Sequence, residues 1–214
     1  MRLKTTFFIC AYLIFFLLSG CSKPPTITKT SNSDLKPGNP PYQKKYNHTN
    51  KNFVKSLSKG TCTIKPLYEY KVLARVVAKK NYHSGWQGEV APCDLALAWE
   101  KLAKPEYHNC VSFSQRNRWY YFRLKSGAPF DLDFVYKRSS NNHIIPHNEN
   151  ILRALKKIRK NDMVYIQGYL VRADGTWGNG TRWWNSSTSR DDRGDGSCEV
   201  IYATSIQIGK NIYK

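Results

Sequence analysis

Five runs rich in aromatic and β-branched residues, each bounded by polar or glycine-bearing turns, constrain the fold of this chain more than any other feature. They are residues 67–78, 118–124, 163–171, 182–188 and 198–208. Such side chains pack well on a pleated, half-buried surface, so each run predicts a strand. Two stretches between them follow the helical period instead. Residues 92–102 put Leu95, Ala98, Trp99 and Leu102 on one face behind Pro92, a residue suited to a first turn. Residues 148–160 start at Asn148, a good cap, and put Ile151, Leu152, Ala154, Leu155 and Ile158 on one face. The outer face of that second helix carries Arg153, Lys156, Lys157, Arg159 and Lys160, which suit the negative end of the helix dipole.

Five strands and two short helices predict a mainly β domain of α+β class. A small, curved antiparallel barrel is the best match, because closure removes exposed sheet edges. Residues 155–170 resemble a passage common in OB-like barrels. There a helix ends in a turn, here Asn161-Asp162, and the next strand carries a glycine, here Gly168, that permits sharp bending. The resemblance implies an OB-like barrel over residues 61–214, a length of about 150 residues that suffices for one core.

Residues 22–60 read as a tether. They hold five of the ten prolines and eight lysines against one acid, Asp34. A segment this polar buries too little surface to offset its chain entropy. As a flexible chain it reaches roughly 35 Å.

Ahead of it stand Arg2 and Lys4, then an apolar run from Phe7 to Leu18, 12 residues long. That is the length of a secretory signal core and too short to span a bilayer as a helix. Leu18-Ser19-Gly20-Cys21 follows. This string resembles the lipobox of bacterial lipoproteins. It implies cleavage of residues 1–20 as a signal peptide and a lipid on the Cys21 thiol. Ser22, where an aspartate would retain the protein, implies the periplasmic face of the outer membrane if the organism has two membranes. The expected organisation is a signal peptide (1–20), a lipidated cysteine with a basic tether (21–60) and the barrel (61–214).

Removal of Arg2 and Lys4 from 34 basic residues leaves 32 against 15 acids, a balance of +17. Such a field draws a protein toward acidic surfaces: lipid head groups, cell-wall polymers or nucleic acid. Cys62, Cys93, Cys110 and Cys198 remain beyond Cys21. An even count in an exported chain permits two disulfides. Cys93 and Cys110, flanking the first expected helix, are the favoured pair, leaving Cys62 with Cys198. No two of the four sit at zinc-ligand spacing, and no motif calls for a metal or cofactor.

Aromatic and basic residues interleave in two places. Arg118, Trp119 and Tyr121 lie in one; Arg182, Trp183 and Trp184 lie in the other. Aromatic faces stack on bases or sugars, and arginines pair with phosphates or carboxylates. The favoured reading is plainer: alternate aromatics fill the barrel and the arginines face water. Lys156, Lys157, Arg159 and Lys160 form a further candidate surface for acidic partners. His143 and His147 are split by Pro146, so a helical metal pair is disfavoured. Residues 190–196 fail the calcium-loop pattern at Arg193 and Tyr202 and read as a turn with local Asp–Arg pairing.

Taken in order, Asp94–Trp99, Arg118–Tyr121, His143–Pro146, Gly168–Val171 and Asp192–Glu199 resemble a family of uncharacterised bacterial envelope proteins, a likeness that implies a common fold and no activity. The functional expectation is a non-catalytic envelope lipoprotein, anchored in the membrane by its lipid, that binds an acidic envelope surface or an assembly partner. One alternative is an OB-like binder of single-stranded nucleic acid or oligosaccharide, with nucleic acid disfavoured by export. The other is a hydrolase using His143, which contact with Asp94 or a serine would favour.

Overall fold

β4 (Gly60–Asn81) organises the molecule. In this computed structural model, which describes residues 27–29 (backbone only), 38–48, 51–194 and 196–214, twelve strands and three α-helices are present. The strands besides β4 are β1 (Ile27–Lys29), β2 (Tyr42–Lys45), β3 (Phe53–Leu57), β5 (Cys93–Ala98), β6 (Val111–Arg116), β7 (Trp119–Leu124), β8 (Ser139–Pro146), β9 (Met163–Trp177), β10 (Gly180–Asn185), β11 (Glu199–Ile208) and β12 (Asn211–Tyr213). The helices are α1 (Gly85–Val90), α2 (Leu132–Lys137) and α3 (Glu149–Lys157). All five expected strands form, and the fold is mainly β.

The pairings run β4–β5–β8–β11–β9 and return from β9 to β4. Four of the five contacts are antiparallel; β8–β11 is parallel. The sheet is therefore mixed, not antiparallel throughout as expected. Strand β8 leads into α3 and β9 before β11 comes back beside it, and such a crossover is what a parallel pair requires. Register shifts in β4 at Pro66/Tyr68 and Val76/Ala78 bend this long strand, so that β9 follows most of its length while β5 takes its end. Inside the ring lie Val72, Ala74, Val76, Leu95, Leu97, Ile144, Ile166, Leu170, Ile201 and Ile206.

The helix expected over residues 92–102 is strand β5. Every residue from Cys93 to Ala98 is buried. A strand covered on both faces gives no alternation, and its apolar run cannot be told from a helix face by periodicity. Cys93, Leu95 and Leu97 face the ring interior; Ala96 and Ala98 face a second cluster under the β6–β7 hairpin and α2. The other expected helix is α3. The Asn148 side chain accepts from the Ile151 amide at 3.0 Å. Ile151, Ala154, Leu155 and Ile158 close one end of the ring interior. Lys79 Nζ donates to the carbonyls of Leu155, Lys156 and Ile158, which the end of the helix would otherwise leave open. Leu155 is 1% exposed. Leu155→Ala is expected to cost about 2–5 kcal/mol in urea denaturation, the range for emptying a buried leucine site.

The expected boundary at residue 61 falls inside a hairpin. Strands β3 and β2 pair with β4, and β1 pairs with β12. Three segments of the expected tether are thus part of the sheet. Its gain comes from backbone pairing with the free edge of β4 and from Phe53 and Leu57, which pack over a third cluster. Few apolar side chains are needed for that, so periodicity gave no sign of it. Residues 1–26, with the expected signal segment and Cys21, lie outside the described residues. Among the described residues no helix is long and apolar enough to cross a membrane.

Neither expected disulfide is made: Cys62, Cys93 and Cys110 are free thiols. Cys93 faces the ring interior, while Cys110 packs on the opposite face of the sheet. Burial pushes the Cys93 thiol up to about 12 and that of Cys62 up to about 11, which makes both poor nucleophiles.

Candidate functional site: a cleft over β5 and β8

Asp94 and His143 face each other across the β5–β8 pair, outside the ring. Asp94 is fully buried and His143 is 2% exposed. His143 Nδ1 donates to Asp94 Oδ1 at 2.9 Å. Arg118 Nη1 donates to the same oxygen at 2.7 Å and to the Ala91 carbonyl at 2.9 Å. Asp94 Oδ2 is buried without a hydrogen-bond partner among the described residues.

Arg118 arrives from the two-residue turn of the β6–β7 hairpin. Both turn residues take left-handed backbone: Asn117 has φ 52° and Arg118 φ 68°. Such a turn matches the twist of the strands, and asparagine suits it, but a long side chain in this region costs about 1–2 kcal/mol. Surrounding bonds hold the strained turn in place. The Arg118 amide donates to the Tyr82 hydroxyl at 3.0 Å, and Asn141 Nδ2 donates to the Arg118 carbonyl at 2.7 Å. The guanidinium lies 3.6 Å from the Tyr82 ring centre and 5.5 Å from that of Trp184. Burial pushes the Tyr82 hydroxyl above its ordinary value. Trp184 from β10 covers His143, with ring centres 4.2 Å apart, and leans on Trp86 of α1.

Arg118, His143 and Trp184 line a cleft of about 450 Å³, with Trp119, Trp183, Asn185 and Cys198 on its walls. Trp183 is 68% exposed. The two aromatic-basic clusters of the sequence therefore meet here. Arg118 and Trp119 form one wall, Trp183 and Trp184 the other. The expectation that these aromatics fill the ring is overturned: they stand outside it, because the ring interior is already occupied by aliphatic residues with Tyr70 and Trp99.

Other expected residues fall elsewhere. Tyr121 lines an adjoining cavity of about 300 Å³ with Tyr136, Arg190 and Arg193. Arg182 turns its guanidinium to the Thr181 carbonyl. Lys156, Lys157, Arg159 and Lys160 are exposed on and after α3, at another face. Among the described residues of the 190–196 turn, contacts reach further than the expected local Asp–Arg pairing. Arg190 pairs with the fully buried Glu199, Arg193 with Asp133, and Asp192 accepts from Ser187. His147 meets the Tyr202 hydroxyl at 2.7 Å. Among the described residues no three His, Cys, Asp or Glu side chains gather as a metal site would require.

Sequence reasoning missed Tyr82 and Asn141, which hold Arg118, and Trp86, which backs Trp184. Asp94 had one visible signal, an acid embedded in an apolar run. Chemically, the cleft offers flat aromatic faces, a cation held rigidly by a carboxylate, and the Nε2 edge of an oriented imidazole. Nε2 makes no hydrogen bond among the described residues. In the neutral ring it would accept one. Compared with family models, with curated protein sequences and with solved structures, the chain matches none of them.

Proposed function

We propose that this protein is a lipid-anchored, non-catalytic binding module of the bacterial envelope, and that its ring of strands is an OB-like barrel taking an envelope glycan in the cleft over β5 and β8. The lipobox string ending at Cys21 supports the anchor and, with Ser22, a place on the periplasmic face of an outer membrane. The OB-like reading draws on the pairing order β4–β5–β8–β11–β9, on its single parallel contact, and on α3 between β8 and β9, the third and fourth of these strands in chain order. Barrels of that kind take oligosaccharides or oligonucleotides on the outer face of the second and third strands, between two flanking loops. Here those strands are β5 and β8.

The observation that carries the reading is the convergence of Trp119, Trp183, Trp184 and Arg118 at that place. Tryptophan faces suit sugar rings, and glycans abound outside the cytoplasm where nucleic acid is scarce. Titration of the full chain with soluble peptidoglycan fragments, followed by tryptophan fluorescence, tests it. Trp183→Ala is expected to weaken binding about tenfold or more, as loss of a central aromatic anchor does, without lowering the melting temperature. Single-stranded DNA bound in place of glycan would move the assignment to nucleic acid. Indifference to both ligands, or to the substitution, would sink the cleft as a binding site.

The contact between His143 and Asp94 favours a second reading, a hydrolase with His143 as base and Asp94 as its orienter. Against it, Asp94 also neutralises Arg118, and no serine or threonine hydroxyl reaches His143 among the described residues. Release of reducing ends from bound glycan by the parent, lost in His143→Ala, would establish turnover. Binding without release would leave the module non-catalytic.

A further inference from the structure

β1 ties the amino-terminal side of the chain to one particular corner. Ile27 pairs with Tyr213 and Lys29 with Asn211. β12 in turn pairs with the end of β11, and α3 packs against both. At this corner Lys157 Nζ stands 5.5 Å from the centre of the Tyr213 ring, and Asn150 donates to the Lys214 carbonyl at 2.8 Å. Lys156, Lys157, Arg159, Lys160, Lys210 and Lys214 are all exposed. Over residues 149–162 and 200–214 the acids are Glu149, in the first turn of α3, and Asp162, whose carboxylate accepts from the Arg159 amide. The surface is thus basic with almost nothing to neutralise it.

Six residue steps separate Cys21 from Ile27. Fully extended, they reach at most about 20 Å. A lipid on Cys21 therefore holds the bilayer close to this corner, where a free tether would have let the domain drift and turn. The cleft lies toward the other end of β11. His143 is opposite Val200 and Tyr213 opposite Ile206, so six residue steps, roughly 20 Å of strand, separate them.

We propose that the exposed end of α3, with β12, is a membrane-facing surface that binds anionic phospholipid head groups, fixing the domain with its cleft turned outward. The chemistry is that of a polybasic patch. Each basic side chain at an anionic surface multiplies partitioning roughly fivefold, and the effect fades over a Debye length. The closeness of the bilayer rests on the lipoprotein reading above; the charge of the face does not.

The test uses full-length protein taken from the membranes of producing cells. It is placed on vesicles of phosphatidylethanolamine with phosphatidylglycerol, or of phosphatidylcholine alone, and its lysines are acylated and mapped by mass spectrometry. On the anionic vesicles Lys156, Lys157, Lys160, Lys210 and Lys214 are expected to react severalfold more slowly. Lys44, Lys59 and Lys65, on the β2–β4 edge, should keep their rates, and high salt should remove the protection. A Lys156→Gln, Lys157→Gln, Lys160→Gln variant should lose the protection at Lys210 and Lys214. Equal labelling of both sets, or protection of the β2–β4 set, overturns the proposal. The mass of the amino-terminal peptide reports lipidation separately. If Cys21 carries no lipid, the anchor reading falls, and slow labelling of the α3 set would still uphold the face through its charge alone.

Discussion

Replacing Asp94 with alanine is expected to destabilise the protein by about 3–5 kcal/mol, the usual loss when one partner of a buried ion pair is removed. Asp94 is fully buried, and the Arg118 side chain it holds is 13% exposed. Without the carboxylate, the guanidinium keeps the Ala91 carbonyl and the faces of Tyr82 and Trp184 but has no counter-charge. His143 loses its partner in the same step. In a chain of this size the loss corresponds to a fall in melting temperature of roughly 6–20 °C. Arg118→Leu in the Asp94→Ala background should recover part of it, since no charge is then left buried alone, and the double-mutant cycle would give the coupling directly. A fall of only a degree or two for Asp94→Ala would mean that the hairpin tip and the cleft floor are not held by this carboxylate. The expected loss of ligand binding in the same variant follows from the geometry, because Arg118 and Trp184 pack around the group removed.

The second large effect is expected at Gly168. This residue sits where β9 is paired on both sides, to Tyr70 of β4 and to Ala203 of β11. It lies at the closure of the ring. A Cβ placed there would collide with the Tyr202 carbonyl and press on the Ala203 Cα. Both obstacles are backbone, so no side-chain rotation relieves them. Gly168→Ala is expected to cost about 3 kcal/mol or more, the upper part of the range for overpacking. It should also speed amide exchange along the β9–β11 ladder more than along β4–β5, because the clash opens that seam first. Uniform exchange, or an unchanged denaturation midpoint, would mean that β11 can move away from β9 at no cost and that closure contributes little to the fold.

Several parts of this architecture were legible in the chain. The aromatic and β-branched runs gave β7, β9, β10, β11 and much of β4. A capping asparagine and a clean helical period gave α3. Those signals are local: they arise from how a side chain meets its own backbone and one buried face. β5 was misread because it is covered on both faces. β8 went unseen because Ser139, Asn141 and Asn142 are buried there through hydrogen bonds to Gln115, Tyr120 and the backbone of neighbouring strands, and burial by hydrogen bonding leaves no apolar pattern. β2 and β3 escaped notice because their stabilisation comes from the edge of β4.

The candidate site divides the same way. Composition alone drew attention to Arg118, Trp119, Trp183 and Trp184, and to His143. That two clusters more than 60 residues apart form the walls of one cleft was decided by the β6–β7 turn and by the β9–β10 hairpin folding over β8. The expectation of an export signal and a lipidation site rests on consecutive residues, so the sequence by itself determined it. The nearness of residue 27 to the basic end of α3 depends on a pairing between chain segments more than 180 residues apart. Backbone hydrogen bonds of that kind carry no residue code, so only the tertiary structure decided where the amino-terminal side of the chain meets the fold.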